Sequence, residues 1–302
     1  MKIYSKYILC LIIIFIFILV ILLNKCKNEI IINKSNPKNI KDFLSKLKNK
    51  KIILVLNPGN GGDALIASGT LKVFDKLKLN YVIKSAIDNP IYNNSVLIYG
   101  GGGNLVDNYS DCRNFLKNNI NRNNIIIILP HTIKGNNKLI NKFDKNVFVC
   151  CREKISYNHV LKNIKFPNNV FLFDDMAFNL NDMQKKFANN KNKNIYKIGI
   201  FFRTDKESKN KKSLFYKNNV DLSKKYNYDY KMSNINKVNK ATFDIFNEID
   251  KYQEINTDRL HIAIAGSLLG KKTNLYQNNY YKNKAVYEYS IKNRFKNTIL
   301  ID

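Results

Sequence analysis

The block Thr257-Asp258-Arg259-Leu260-His261 opens the apolar run Ile262-Ala263-Ile264-Ala265. It sets a fixed guanidinium two residues from a titratable imidazole, where the pattern turns from polar loop to buried segment. A helix or strand starting here points the cation, the imidazole and unpaired backbone N–H groups at one spot, which suits an anion. Arg203 ends the run Ile198-Gly199-Ile200-Phe201-Phe202. A guanidinium held there suits bidentate recognition of a carboxylate or phosphate. Asp63 closes the loop Asn57-Pro58-Gly59-Asn60-Gly61-Gly62. A carboxylate at that place either caps a helix or orients and deprotonates a hydroxyl. Gly100, Gly101, Gly102 and Gly103 precede Asn104; so many successive glycines are conformationally costly, and they imply close approach of a ligand or of another backbone. His131, in Leu129-Pro130-His131-Thr132-Ile133, is either a site residue at a strand end or a hydrogen-bonded edge residue. Arg152-Glu153 with Ser156 is either a capped helix start or a site pair. Asp174 and Asp175 have no histidine beside them and make a poor metal site, so no metal is expected.

The elements that must hold these residues read as α/β. Lys51-Ile52-Ile53-Leu54-Val55-Leu56 is a strand, the glycine loop follows, and a helical pattern runs through Leu65, Ile66, Leu71, Val73, Phe74 and Leu77. Runs at 81–83, 96–99, 125–129 and 147–150 continue the series, apolar enough to be covered on both faces. A second series starts at the 198–202 strand, after a lysine-rich stretch near 185–194. The Arg259 block then leads a helix to Leu269, followed by a strand at 273–276, a last helix over 284–296 and an apolar tip at 299–301. Residues 206–240 carry little periodicity and read as a long, partly ordered insertion. The expected architecture is two Rossmann-like domains facing a cleft, at 48–184 and 195–302, with 24–47 as a polar stem.

Gly59-Asn60-Gly61-Gly62-Asp63-Ala64 fits G-x-G-x-x-A, the dinucleotide fingerprint. A cofactor role also wants an acid about 20 residues on. Asp75 falls within the first helix and Asp88 is late. No Gly-Lys-Ser/Thr occurs, which excludes a Walker loop.

The formal net charge is +28 over 302 residues. Lysine is interleaved with asparagine throughout, as in Lys191-Asn192-Lys193-Asn194, and no basic stripe with aromatic platforms stands out. Nucleic acid is therefore not an expected partner. Residues 8–23 are uninterrupted apolar, with Lys2 and Lys6 before and Lys25 and Lys27 after, and no cleavage box follows. They read as an uncleaved transmembrane helix behind a short tail at 1–7, so the protein is expected to be membrane-bound and single-pass. A type II orientation in a secretory compartment such as the Golgi follows for a eukaryotic or viral source, and the inner membrane for a bacterial one. Sequons at Asn33, Asn93 and Asn108 carry little weight in so Asn-rich a chain, and the five cysteines show neither metal spacing nor a disulfide framework.

Taken in order, these loops resemble the polysaccharide pyruvyl transferase family. The likeness rests on Asn60-Gly61-Gly62-Asp63-Ala64-Leu65-Ile66, the glycine run to Asn104, Leu129-Pro130-His131-Thr132-Ile133, Arg152-Glu153 with Ser156, Asp175 with Ala177-Phe178, Arg203, Arg259-Leu260-His261, and Asn278, Tyr280 and Lys282-Asn283. The resemblance implies a fold similar to GT-B glycosyltransferases, and transfer of a pyruvyl group from phosphoenolpyruvate to a sugar as a cyclic ketal. It implies phosphoenolpyruvate as co-substrate without a further cofactor, held by Arg203, Arg259, Leu260 and His261 on the C-terminal, donor side. His261 and Asp63 are the implied catalytic pair. Asn60, Gly61, Gly62, Asp63, Gly102, Gly103, Asn104, His131 and Arg152 form the acceptor side, with a galactoside or N-acetylhexosamine as the acceptor. Gln277 and Tyr281 depart from the family pattern, which has an acid and a glycine there. Two rival readings are a nicotinamide-dependent oxidoreductase, resting on Gly59, Gly61 and Ala64, and a non-catalytic anchored module for acidic glycans or membrane surfaces.

Overall fold

The computed structural model describes residues 12–17, 37–190, 193–209 and 211–302. Of the apolar segment 8–23, only 12–17 are described; they are helical, with exposed side chains. The remainder of that segment, and most of the stem, lie outside the described residues. Among the described residues no helix is long and apolar enough to cross a membrane.

Apolar β-branched runs become central strands, and polar-alternating ones become edges. The larger sheet contains β1 (Lys51–Leu56), β2 (Asn80–Ser85), β3 (Val96–Tyr99), β4 (Gly102–Leu105), β5 (Ile125–Ile133), β6 (Val147–Cys151) and β7 (Val170–Leu172). Their order is β2-β1-β3-β5-β6-β7, every pairing is parallel, and β4 pairs with the far half of β5. All nine residues of β5 are buried, whereas β2 alternates exposed and half-buried positions, as an edge strand does. The second sheet, β11-β10-β9-β8, is also all parallel, from β8 (Tyr196–Ile200), β9 (Tyr252–Thr257), β10 (Lys272–Tyr276) and β11 (Thr298–Ile301). Both sheets belong to one compact unit, Asn39–Asp302.

Helices α1 (Ile40–Ser45), α2 (Gly61–Lys76), α3 (Asp111–Asn119), α4 (Lys154–Asn163), α5 (Ile235–Asp250), α6 (Leu260–Leu268) and α7 (Lys282–Val286) cover these sheets. Residues 39–47, expected at the end of a polar stem, are packed into the body. Phe43, Leu44 and Leu47 are fully buried, and the Phe43 ring lies 4.9 Å from Phe171 and 5.9 Å from Phe173. Burying one such ring stabilises by about 1.5–3 kcal/mol. Helix α2 joins the two sheets. Its Ser68 hydroxyl meets Thr242 of α5 at 2.8 Å, and a Cβ at Gly69 would collide with the Met176 carbonyl.

Three expectations change. Strand β9 was not anticipated, because Tyr252-Gln253-Glu254 are polar and half-exposed, and only Ile255 and Thr257 are buried. The 206–240 stretch is an expected insertion only in part. It contains two short helical turns, 212–215 and 222–225, and the start of α5, which runs sixteen residues from an Asn234 cap. The helix expected over 284–296 starts at Lys282 and passes at Tyr287 into a π turn ending at Ile291.

Candidate active site

The chain leaves β1 to build β2 on one side and returns to build β3 on the other. Loops after β1 and β3 therefore diverge at a topological switch point, where open parallel sheets take ligands. The loops after β8 and β9 face the same place, and a cavity of about 330 Å³ lies among them. Its lining includes Asn57, Asn60, Asp63, Gly103, Asn104 and Arg152 from the first sheet's loops, and Arg203, Arg259, Leu260, His261 and Lys282 from the second's.

The loop after β1 is tied to itself. Asn60 caps α2 by accepting from the Gly62 N–H at 2.9 Å, while Asp63 Oδ2 accepts from the Asn60 N–H at 2.9 Å. The Gly59 N–H donates to the Tyr230 carbonyl. The amides that a dinucleotide pyrophosphate would need are thus satisfied internally, with a carboxylate in front of them. Burial raises the Asp63 carboxyl above its usual value, against the opposing pull of His261, the Asn60 N–H, Lys282 and Arg152.

Behind Asp63 runs a buried polar chain. Asn57 Nδ2 donates to Asp63 Oδ1 (3.3 Å), Tyr99 donates to Asn57 Oδ1 (3.0 Å), and Asn104 Nδ2 donates to the Tyr99 hydroxyl (3.2 Å). The Asn104 N–H donates to His131 Nε2 at 3.1 Å. His131 is completely buried, and burial with the nearby Arg152 charge pulls its pKa down to about 3. It is therefore a neutral ring that holds Asn104 and does not line the cavity. The glycine run is explained mostly by this packing. Asn57 crowds Gly100 and Gly102, the Pro130 carbonyl crowds Gly101, and only Gly103 opens on the cavity, with Arg152 Nη2 2.9 Å from where its Cβ would be.

Arg152 and Asp175 form a buried ion pair at 2.7 Å, both almost fully covered. Arg152 Nε also donates to Thr132 Oγ1 at 2.8 Å, and the Ala177 N–H donates to Asp175 Oδ1 at 2.8 Å. His261 Nε2 lies 3.4 Å from Asp175 Oδ2 and 3.5 Å from Arg152 Nη1, so the pair fixes the imidazole from behind. Burial alone would raise the Asp175 carboxyl, but the His261 contact and the Arg152 charge hold it well below the usual carboxylate range. Gly62 lets the ring approach, since a Cβ there would sit 3.0 Å from His261 Nδ1.

The two further arginines are anchored by acids that sequence reasoning missed. Arg259 is the N-cap residue of α6, a helix start with no side-chain cap. Its Nε and Nη2 fork onto Asp221 at 3.0 and 2.6 Å. Arg203 binds Asp205 through Nε (2.6 Å) and Nη2 (3.0 Å), and Glu207 through Nη1 (2.6 Å). Asp205 also reaches Arg259 Nη2 at 2.9 Å. Glu207 accepts from Tyr109 (2.7 Å) and Lys282 (2.9 Å). Burial alone would raise the Glu207 carboxyl, but Lys282 and Arg203 hold it well below the usual range. Asp258 supports Arg203 from the backbone, accepting its N–H at 2.7 Å. Burial pushes the Asp258 carboxyl up to about 6.

Of the residues singled out from sequence, Asn60, Asp63, Gly103, Asn104, Arg152, Arg203, Arg259, Leu260 and His261 meet at the cavity, while Gly61, Gly62, Gly102 and His131 stand behind it. Glu153 turns away to cap α4 through the Ser156 N–H. Gln277 is remote, bonded to Asp302, and the Tyr281 hydroxyl donates to the Ile133 carbonyl. Among the described residues, no three His, Cys, Asp or Glu side chains gather as a metal site.

The description "Polysaccharide pyruvyl transferase" belongs to the family model that matches residues 60–280, most of the chain and most of the cavity's lining. The chain belongs to the polysaccharide pyruvyl transferase family. A crystal structure of a functionally uncharacterised protein from Klebsiella pneumoniae subsp. pneumoniae is similar over most of its length. It is 36% identical, with a TM-score of 0.72, over 87% of this chain and 96% of that one. No curated protein matches the chain.

Proposed function

We propose that this cavity moves the pyruvyl group of phosphoenolpyruvate onto two hydroxyls of one sugar in a glycan, forming a cyclic ketal and releasing phosphate. The observation that carries the reading is the meeting of Arg203, Arg259 and His261 with Asp63 across one cavity in a member of this family. Phosphoenolpyruvate carries a carboxylate and a phosphate on adjacent atoms, which a pair of guanidinium groups can recognise together. Protonation of its methylene carbon makes an oxocarbenium-like centre. One sugar hydroxyl adds there and loses its proton; the second displaces phosphate and loses its own, and phosphate leaves carrying one proton.

In this reading His261, held by Asp175 and Arg152, donates the proton to carbon or takes the phosphate. Asp63, whose carboxyl burial raises above its usual value, receives the proton of the incoming hydroxyl. Loops of the larger sheet take the acceptor, for which a galactoside or N-acetylhexosamine is our candidate, and loops of the smaller sheet take the donor. The two sheets would then be the halves of a GT-B-like arrangement. The apolar segment 8–23 would serve as a single-pass anchor placing the enzyme at a membrane.

The dinucleotide reading is disfavoured by the self-satisfied amides at Gly59, Asn60 and Gly62. The proposal is tested by titrating the full chain with phosphoenolpyruvate and following its thermal unfolding. Stabilisation that vanishes in Arg259→Ala supports a donor site here. The same stabilisation in both proteins places the anion elsewhere and refutes the assignment.

A further inference from the structure

The carboxylate of Asp205 lies between the two guanidinium groups that the donor reading requires. One oxygen is 2.6 Å from Arg203 Nε, and the other is 3.0 Å from Arg203 Nη2 and 2.9 Å from Arg259 Nη2. The other two acids of the cluster are built in differently. Glu207 and Asp221 are 7% and 4% exposed, and each has an anchoring role of its own, on Lys282 and Tyr109 or on the Arg259 fork. Asp205 is 30% exposed and belongs to no helix or strand. It lines the central cavity and also a wider neighbouring one, of about 760 Å³, bordered by Thr204, Lys206, Leu214, Tyr216 and Asn219.

Arg203, Arg259 and Lys282 contribute three positive charges, and Asp205, Glu207 and Asp221 contribute three negative ones. These six side chains sum to zero, and Asp258 behind Arg203 adds a negative charge once it ionises above about pH 6. A ligand with two acidic groups entering the cluster would leave the site strongly negative at low effective dielectric, unless one carboxylate departs. Only Asp205 has both the exposure and the loop attachment to do so.

We infer that Asp205 is an internal stand-in for an acidic group of the ligand, and that a phosphate or carboxylate binds by exchanging with it on Arg203 and Arg259. The identity of that ligand as phosphoenolpyruvate rests on the function proposed above; the exchange itself does not. Displacement frees the Asp205 side chain towards the wider cavity and leaves Asp221 and Glu207 to keep both guanidinium groups in position. Asp205 thereby sets how much of the arginine pair's attraction reaches the ligand.

The test compares the full-length protein with Asp205→Asn, using calorimetric titration with inorganic phosphate and with phosphoenolpyruvate. Asp205→Ser serves as a second variant, and an unchanged unfolding temperature confirms that each is folded. The expected result is a dissociation constant lower by roughly ten-fold for both anions, since the ligand no longer displaces a charge-assisted pair. Glu207→Gln, which removes an anchor, is expected to weaken binding. Unchanged or weaker binding in both Asp205 variants would overturn the inference, because a carboxylate that merely orients Arg203 helps the ligand when present. Failure of both variants and of the wild type to bind either anion would overturn it too. Tighter anion binding without transfer to any sugar would uphold the exchange while refuting the transferase reading. Transfer in wild type without tightening in the variants would do the reverse.

Discussion

Asp175→Asn isolates the pair on which the imidazole rests. Arg152 and Asp175 are 1% and 0% exposed, so their 2.7 Å contact is largely shielded from bulk water, although Arg152 also borders the cavity. The asparagine oxygen can keep the Ala177 N–H, but its NH2 then points at the Arg152 donors. A buried guanidinium is left without its paired carboxylate, which costs about 3–5 kcal/mol when one partner of such a pair is removed. At about 2–4 °C per kcal/mol for a domain of this size class, melting should fall by roughly 6–20 °C. Urea unfolding with an unchanged slope and a lower midpoint would attribute the loss to the native state. Replacing both partners, Asp175→Asn with Arg152→Met, should recover much of it. The acid limb should change as well. A carboxyl held below its usual value contributes stability above about pH 4 that is lost as pH falls through its folded value, so the variant's stability should vary less there. A loss under about 1 kcal/mol, the range of an exposed pair, would refute the reasoning.

Asp258 titrates with the opposite sign. Its carboxyl is raised to about 6, so the folded state holds the proton longer, and stability falls as pH rises from about 4 to 6, by up to about 3 kcal/mol. Asp258→Asn should flatten that slope in pH-dependent urea unfolding. Gly62→Ala places a methyl group 3.0 Å from His261 Nδ1. Transfer should slow by roughly ten-fold through displacement of the ring, while circular dichroism and the melting temperature stay close to wild type. Arg259→Lys cannot reproduce the fork on Asp221. Steady-state kinetics should show kcat/KM for the donor falling by at least about 100-fold, as when a charge-stabilising donor is removed.

Much of the site was legible because its residues sit where patterns change. Arg259 and His261 mark the junction of polar loop and apolar helix, and Arg203 marks the end of a strand, so their place at the cavity follows from periodicity. Asn60 and Asp63 were legible as a glycine loop with a cap. Their partners were not. Asp205, Glu207 and Asp221 lie in a stretch whose lysines and asparagines mask any period, and ion-pair partners follow no spacing rule. The Arg152–Asp175 pair spans 23 residues and depends on β6 and β7 lying side by side. Strand β9 escaped because its exposed half is polar, although it delivers Thr257 to the Arg259 N–H. From sequence, His131 could be either a strand-end site residue or a hydrogen-bonded edge residue. Only the register of β4 against β5, which puts Gly102 beside it, shows that the ring is sealed inside.

The central claim is tested most directly by following the carbon that must change hands. The protein would be incubated with phosphoenolpyruvate labelled with carbon-13 at the enol carbon and a panel of galactosides and N-acetylhexosamines. Nuclear magnetic resonance would follow the label while released phosphate is counted. The account predicts a sugar-linked ketal carbon in step with phosphate, absent without acceptor and absent in Arg259→Ala. Label recovered as free pyruvate, or left unchanged in phosphoenolpyruvate with every acceptor, would contradict it.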